Sequence, residues 1–406
     1  MQGLRITVPF FVLLAFLGCR RDEAPPARSA ASSDRPPLLS SFPGHDAKLR
    51  WDGAGNLHVI YVEDRPGGDA IVYRRLGPRA AGPFTVSPAG LATAIEPESP
   101  PTIDVLPNGD LVTAYAVQLP GKWKSDVRVQ RSTDAGATWS EPLRIHPPQS
   151  VAHSLVSSAL TTSGTLAFVW LDSRDGHMGL RAASTRDGLK FSENQSLDTV
   201  TCQCCGTELA AGREGRLWVG YRDLEPDNLR DFRVLRSVTD PPAYDGGVKL
   251  SSDGWKINGC PETGMRLAQA PDGTLWAAWF TAGGQPGVYV TSSKDDGESF
   301  APRTLLSEPG RLARHPEIAL LSGGRVAVLY ESIEADGTRA LVARERSAQG
   351  LWEAPRRIGT QGDHLRFAAA GEQSALAFTC RDEKGSRVVV APGSMLDSPG
   401  AGLTCS

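Results

Sequence analysis

The chain is 406 residues long and carries 43 Lys and Arg against 46 Asp and Glu, a formal net charge of −3. That balance provides no electrostatic case for a nucleic-acid partner, and beyond the N-terminus no apolar run approaches the roughly 18 residues of a spanning helix. The length is ample for a sizeable core, and the seven histidines and seven cysteines are few enough to be placed one by one.

Residues 1–18 begin with one positive charge, Arg5, followed by a largely apolar stretch over 6–17. The stretch is too short for a comfortable membrane span and reads as a secretory signal peptide. It ends in Phe16-Leu17-Gly18-Cys19, which resembles a bacterial lipobox. The resemblance implies cleavage before Cys19 and lipidation of its thiol, so that the mature chain is exported and held to the cell envelope through a lipid anchor. Arg20 stands in place of the Asp that retains many such lipoproteins at the inner membrane, which points to the outer membrane in a cell that has one. Residues 19–43 are rich in Pro, Ala and Ser without a hydrophobic period and read as a lipidated tether. The folded domain is then 44–406, in an oxidising location that permits disulfides.

One unit recurs through that domain. Its second strand is read at 56–62 (NLHVIYV), 110–116 (DLVTAYA), 165–171 (TLAFVWL), 216–222 (RLWVGYR), 274–280 (TLWAAWF), 325–331 (RVAVLYE) and 375–381 (ALAFTCR). Turns such as GAGN, PNGD and PDGT lead into it, and a polar loop and another β-like run follow. Seven repeats spaced by about fifty residues, with no sustained helical period, predict four-stranded blades arranged radially. The expected fold is all-β, a seven-bladed β-propeller, with residues 37–41 a candidate for closing the ring against the last blade.

The turns after the third strands carry a second pattern. Residues 132–139 (STDAGATW) set Ser132, Asp134, Gly136 and Trp139 at the spacing of an Asp-box, and 293–300 (SKDDGESF) repeat it with Ser293, Asp295, Gly297 and Phe300. Residues 184–191 (STRDGLKF) and 347–352 (SAQGLW) look like eroded copies. The Asp caps turn amides, the Gly takes a φ closed to other residues, and the aromatic packs at the blade edge. On these motifs the chain resembles the sialidase-like BNR/Asp-box superfamily over most of 44–395. The resemblance implies a propeller with Asp-box turns; the boxes are structural and do not specify an activity.

In a propeller the starts of first strands and the second-to-third loops share one face, where ligands usually sit near the axis, and Asp-boxes occupy the other. Counting back from the repeats puts His45, Ser99, His153, Cys205, Cys260, His315 and His364 at the first-strand starts. The six His and Cys of this set are read as a ring for copper or zinc, or as the lining of a channel mouth. Glu262 and Glu317 follow two residues behind ring positions. Loops on the same face add Arg222, Asp223, Arg230, Asp231 and Arg233, and also Asp172 and Arg174. These read as a clamp for a glycan or other small acidic ligand, or as a salt-bridge network.

Without Cys19, six cysteines remain as disulfide candidates: Cys202, Cys204, Cys205, Cys260, Cys380 and Cys405. Cys380 with Cys405 would pin the C-terminal tail to the last blade. Repeat logic places the other four on neighbouring blades, open to disulfides or to a thiolate site for copper or zinc.

Sialidases of the superfamily use an arginine triad, a Tyr–Glu nucleophile pair and an Asp acid/base, and open their first blade with Arg-Ile-Pro. Here the first blade opens Gly44-His45-Asp46, and the arginines Arg222, Arg230 and Arg233 come from one blade. Tyr330 and Glu331 are strand neighbours and face opposite ways. The expectation is an exported, lipid-anchored propeller with an axial site for a glycan or other acidic ligand, sialoside hydrolysis being disfavoured and catalytic residues unassigned. The alternatives are a copper or zinc propeller using the axial His/Cys cluster, and an envelope scaffold for protein partners.

Overall fold

The computed structural model describes residues 40–237, 239–397, 402, 403 and 405; the expected signal peptide, the expected lipidation site Cys19 and the expected tether up to residue 39 lie outside them. The described residues form seven four-stranded antiparallel sheets, a seven-bladed β-propeller. Blade three sets the pattern with His153–Leu160, Leu166–Asp172, Gly179–Thr185 and Gln195–Asp198, each strand pairing with the next. Blades one to six are built in this way from consecutive strands. The seventh combines Gly362–Ala370, Gln373–Asp382 and Gly385–Pro392 with Ser40–Pro43, which runs antiparallel to Arg387–Val390. Both ends of the domain therefore close the ring. Residues 40–43, placed in the tether by composition, are the outer strand of the last blade, and Phe42 is buried against Tyr61 of blade one.

The second strand of each blade is covered on both sides by its neighbours. Every residue of Leu166–Asp172, Leu217–Arg222 and Leu275–Thr281 is buried, which is why these segments read as nearly unbroken apolar runs rather than alternating ones. Their largest side chains, Trp170, Trp218 and Trp279, are fully buried, and each indole N–H finds an acceptor: the Asp172 carboxylate (3.2 Å), the Asp296 carbonyl (2.8 Å) and the Asp253 carboxylate (2.7 Å). The buried apolar side chains gather into clusters that each join two adjacent blades. Blades two and three meet through Val112, Val127, Phe168 and Trp170; blades seven and one meet through Val388, Val390, Leu49 and Tyr61. No blade covers its own faces, so the core is distributed around the ring.

The turns on the face away from the first-strand starts are held by short-range hydrogen bonds. In blade two the Ser132 hydroxyl accepts the Gly136 N–H (2.8 Å) and the Asp134 carboxylate accepts the Thr138 N–H (2.9 Å). Ser293, Asp295, Gly297 and Ser299 repeat this in blade five. In the eroded copy of blade three the hydroxyl comes from Thr185 rather than Ser184, because one residue is missing before Gly188. The tail is fixed twice: Cys380 is disulfide-bonded to Cys405, and the Leu403 N–H donates to the Ile358 carbonyl of blade six (2.7 Å). Among the described residues no helix is long and apolar enough to cross a membrane.

Candidate functional site at the propeller axis

In four blades the innermost strand begins through a β-bulge: between His45 and Lys48, Ser154 and Ser157, Arg314 and Glu317, and Asp363 and Arg366. Inside these bulges Asp46, Leu155, His315 and His364 take left-handed φ values of 48°, 53°, 47° and 49°. Each costs a non-glycine residue on the order of 1 kcal/mol, and a bulge re-aims the side chain it carries. Three of the four, Asp46, His315 and His364, converge at the axis.

Glu98 completes the group, carried by a segment of blade two that reaches across the channel mouth. Its Oε2 accepts the Gly264 N–H of blade five (2.8 Å), and Arg366 of blade seven donates to the neighbouring Pro97 carbonyl (3.0 Å). A Cβ on Gly206 of blade four would lie 2.7 Å from the Glu98 carbonyl, so that approach requires glycine. His315 sits between two carboxylates, its Nδ1 2.8 Å from Glu331 and its Nε2 3.3 Å from Glu98. The His364 ring stacks on it at 4.8 Å, with its Nδ1 3.0 Å from Asp363 and 3.8 Å from Asp46. Asp46, Glu98 and Glu331 are buried, and each keeps one oxygen without a hydrogen-bond partner. Burial pushes all three carboxyls up; the adjacent histidines, with Arg266 and Arg366 for Glu98, outweigh it and hold them below the usual carboxylate range. Glu98, His315 and His364 each offer a ligand atom within 4.8 Å of the others, so this cluster could hold a metal ion.

Deeper in the channel stand Lys48, Glu208, Arg266, Glu317 and Arg366, one from each of five blades. The Arg266 Nε donates to Glu317 (3.3 Å), and its Nη1 is 3.7 Å from Glu208. At the mouth, three arginines flank the histidines. Arg314 Nε is 3.5 Å from Glu331, while Arg339 Nη1 (2.7 Å) and Arg381 Nε (3.3 Å) share one oxygen of Asp363. Their side chains are 32%, 38% and 44% exposed over buried partners. Each guanidinium thus lies beside a buried carboxylate and is itself partly exposed, and Arg381 also donates to the Ser386 hydroxyl (2.9 Å). A polar cleft of about 680 Å3 opens on the same face, lined by Glu308, Arg311, Tyr330, Ser332, Glu334 and Arg357 among others. That volume lies within the usual range of ligand sites.

The residues anticipated from sequence are dispersed. Of the expected His/Cys ring, only His315 and His364 meet. His45 bonds its own neighbour Asp46 (2.8 Å). His153 is sealed in a stack with His146, with ring centroids 3.5 Å apart. Cys205 lies with Cys202 and Cys204, and Cys260 is exposed outside that group. The six do not form one ring: in the bulged blades the left-handed position falls on Asp46, Leu155, His315 and His364, so His45 and His153 stand one and two places before it. Of the two carboxylates, Glu317 is buried beside Arg266 and Glu262 is exposed.

The anticipated clamp is likewise internal. Arg222 donates to the carbonyls of Arg230, Thr263 and Phe280 (2.9, 3.3 and 3.0 Å) and lies over the rings of Phe232 and Trp255. Arg230 is buried against Cys202, and Arg233 pairs with Asp223 (2.6 Å) and Glu225. Asp231 accepts the N–H groups of Gly254 and Trp255 and lies 3.5 Å from Lys249, and Asp172 is gripped by Arg174. These charged loops are a hydrogen-bonded frame rather than a ligand clamp. Tyr330 lines the cleft and bonds the Leu306 carbonyl, whereas Glu331 faces His315, so the two diverge as alternation requires. Glu98, Arg314, Arg339 and Arg381 escaped the sequence reading. The run Glu96-Pro97-Glu98-Ser99-Pro100-Pro101 was the available signal for the first; nothing local marks the arginines.

No protein-family model and no curated protein matches the sequence. Among solved structures, an ulvan lyase of a polysaccharide lyase family superposes with a TM-score of 0.57 at 13% identity, over 90% of this chain and 100% of that one. The ulvan lyase bound to -[GlcA(1-4)Rha3S]- gives 0.57 at 13%, covering 91% and 98%. The NanB sialidase from Streptococcus pneumoniae gives 0.51 at 10%, covering 84% of each chain. The protein is therefore a propeller similar in fold to sialidases and other glycan-active propellers.

Proposed function

We propose that the protein binds an acidic oligosaccharide on the face where the innermost strands begin, with Arg314, Arg339 and Arg381 holding carboxylate or sulfate groups. The observation that carries this is the grouping of three partly exposed guanidinium groups over buried carboxylates, beside the cleft. On the same face, Trp123 is 78% exposed in the loop between Leu111–Gln118 and Ser125–Ser132, a platform for a sugar ring. One fold neighbour is bound to a glucuronate-containing saccharide. In this reading the propeller works at the cell envelope, tethered through a lipidated Cys19, and sialidase-type hydrolysis has no part because Tyr330 and Glu331 diverge. Calorimetric titration with uronate-containing and neutral oligosaccharides of equal length tests it. The acidic ligand should bind more weakly as salt rises, and Arg381→Ala or Arg314→Ala should each lower affinity by about tenfold or more. Equal binding of the neutral ligand, or unchanged affinity in both variants, would refute it.

A second reading concerns what lies beneath the rim, and one observation favours it. His315 and His364 each direct Nδ1 at a carboxylate, Glu331 and Asp363, which leaves both Nε2 lone pairs for a common ligand with Glu98. That is the carboxylate–histidine–metal arrangement, and zinc suits an imidazole and carboxylate set. Elemental analysis should find zinc in the wild-type chain and its loss in His364→Ala; equal zinc in both would exclude this site.

A further inference from the structure

On blade four, ahead of its innermost strand, three sulfurs meet. Cys202 Sγ lies 3.1 Å from Cys205 Sγ and 3.8 Å from Cys204 Sγ, and all three fall within 4.8 Å of one another. Cys202 and Cys205 are buried, while Cys204 is partly exposed. One guanidinium group stands against them, with a second behind it. Arg230 Nη1 is 3.2 Å from Cys202 Sγ, and Arg222 packs behind it, donating to the Arg230 carbonyl (2.9 Å). The two arginines are only 1% and 7% exposed, and among the described residues neither forms an ion pair with a carboxylate. The Nε of each also lacks a partner. Buried charges are ordinarily paired, since leaving one uncompensated costs several kcal/mol. Arg222 is met by carbonyls and aromatic rings, which bring no negative charge, and Arg230 donates to Cys202, so the two adjacent buried cations call for anionic sulfur beside Arg230.

We propose that Cys202, Cys204 and Cys205 form a three-thiolate site for a soft, monovalent d10 cation, copper(I). The charges balance: three thiolates, one copper(I) and two guanidinium groups sum to zero. Three S–H bonds give way to three Cu–S bonds, and the protons leave to solvent with no change of oxidation state. Soft thiolates select copper(I) or zinc, but zinc would leave an excess positive charge and takes a fourth ligand in structural sites. Among the described residues no imidazole or carboxylate joins the three sulfurs. The partly exposed Cys204 provides the way in. Gly206 follows directly, where the Glu98 segment packs within 2.7 Å of its missing side chain, so the thiol turn is braced from the axis.

The test is an anaerobic titration of the reduced full chain with copper(I) against a chromophoric copper(I) chelator. One copper(I) per chain is expected in the wild type and in Cys260→Ser, which removes the exposed thiol outside the group. Cys204→Ser, at a half-exposed position that should leave melting nearly unchanged, should weaken binding by more than about 100-fold. Wild-type affinity no tighter than that of Cys204→Ser overturns the proposal, and so does zinc held in preference to copper(I). A Cys202–Cys205 disulfide persisting in protein isolated anaerobically from the envelope overturns it as well, and the wild-type stoichiometry decides even if a variant does not fold.

Discussion

His146 and His153 show how one residue type takes different roles in one molecule. The Val127 N–H donates to His146 Nε2 (3.1 Å), and His146 Nδ1 lies 3.0 Å from the Pro147 carbonyl. Its Nε2 lone pair is therefore engaged and the ring is neutral, whereas in the axial pair it is Nδ1 that faces a carboxylate. Burial first, and then the adjacent His153, pull its pKa from 6.5 down to about 4. Because the folded value is the lower one, the unfolded chain binds more protons between these limits. The stabilisation is complete above about pH 6.5 and is lost as pH falls toward 4. Thermal melts from pH 7 to 4 should show a falling melting temperature, and His146→Gln, which keeps an acceptor for Val127 without titrating, should flatten the decline. Parallel profiles would contradict this account. Sequence reading placed His153 in a ring because position alone cannot say where an imidazole's lone pair is directed.

The turns and second strands were legible because their causes are local. A second strand covered on both sides is apolar throughout, and a tight turn needs particular residues at fixed offsets. Gly136 and Gly109 separate the two demands on such glycines. Both have left-handed φ, 93° and 88°, but a Cβ on Gly136 would overlap the Tyr73 ring, whereas nothing lies near one on Gly109. Gly109→Ala should cost about 1 kcal/mol, backbone strain alone. Gly136→Ala should add overpacking and cost about 3 kcal/mol or more. Denaturant unfolding of the pair measures the difference; equal losses would mean that the tyrosine simply moves aside. The bulges are the opposite case. One inserted residue changes which side chain faces the axis, and no local residue type announces it: an aspartate, a leucine and two histidines, Asp46, Leu155, His315 and His364, share the same backbone state.

Across the whole molecule, ring closure depends on pairing between the two ends of the domain, and the tail on contacts with blades six and seven. Cys405 lies 25 residues from Cys380, so removing the bridge with Cys405→Ser should cost roughly 3 kcal/mol through the larger freedom of the unfolded chain. The melting temperature should fall by a few degrees for a domain of this size, most steeply in blades six and seven by hydrogen exchange. Uniform loss of protection around the ring would show that the blades unfold as one unit.

The sequence by itself determined the number of blades and the order of their strands, and it offered the glycine turns and the Cys380–Cys405 pairing as candidates that the structure then formed. Each follows from periodic burial, from turn stereochemistry, or from a cysteine count read in register with the repeat. Tertiary structure alone decided the sites. Glu98 reaches the axis from a loop far from His315 in sequence, Arg314, Arg339 and Arg381 acquire their roles from the carboxylates behind them, and Arg222 is identified as buried only by the carbonyls that surround it. The reason is physical. Burial along a strand is written in its own residues, whereas the aim of a charged side chain is set by bulges and partner charges that only the closed ring brings within reach.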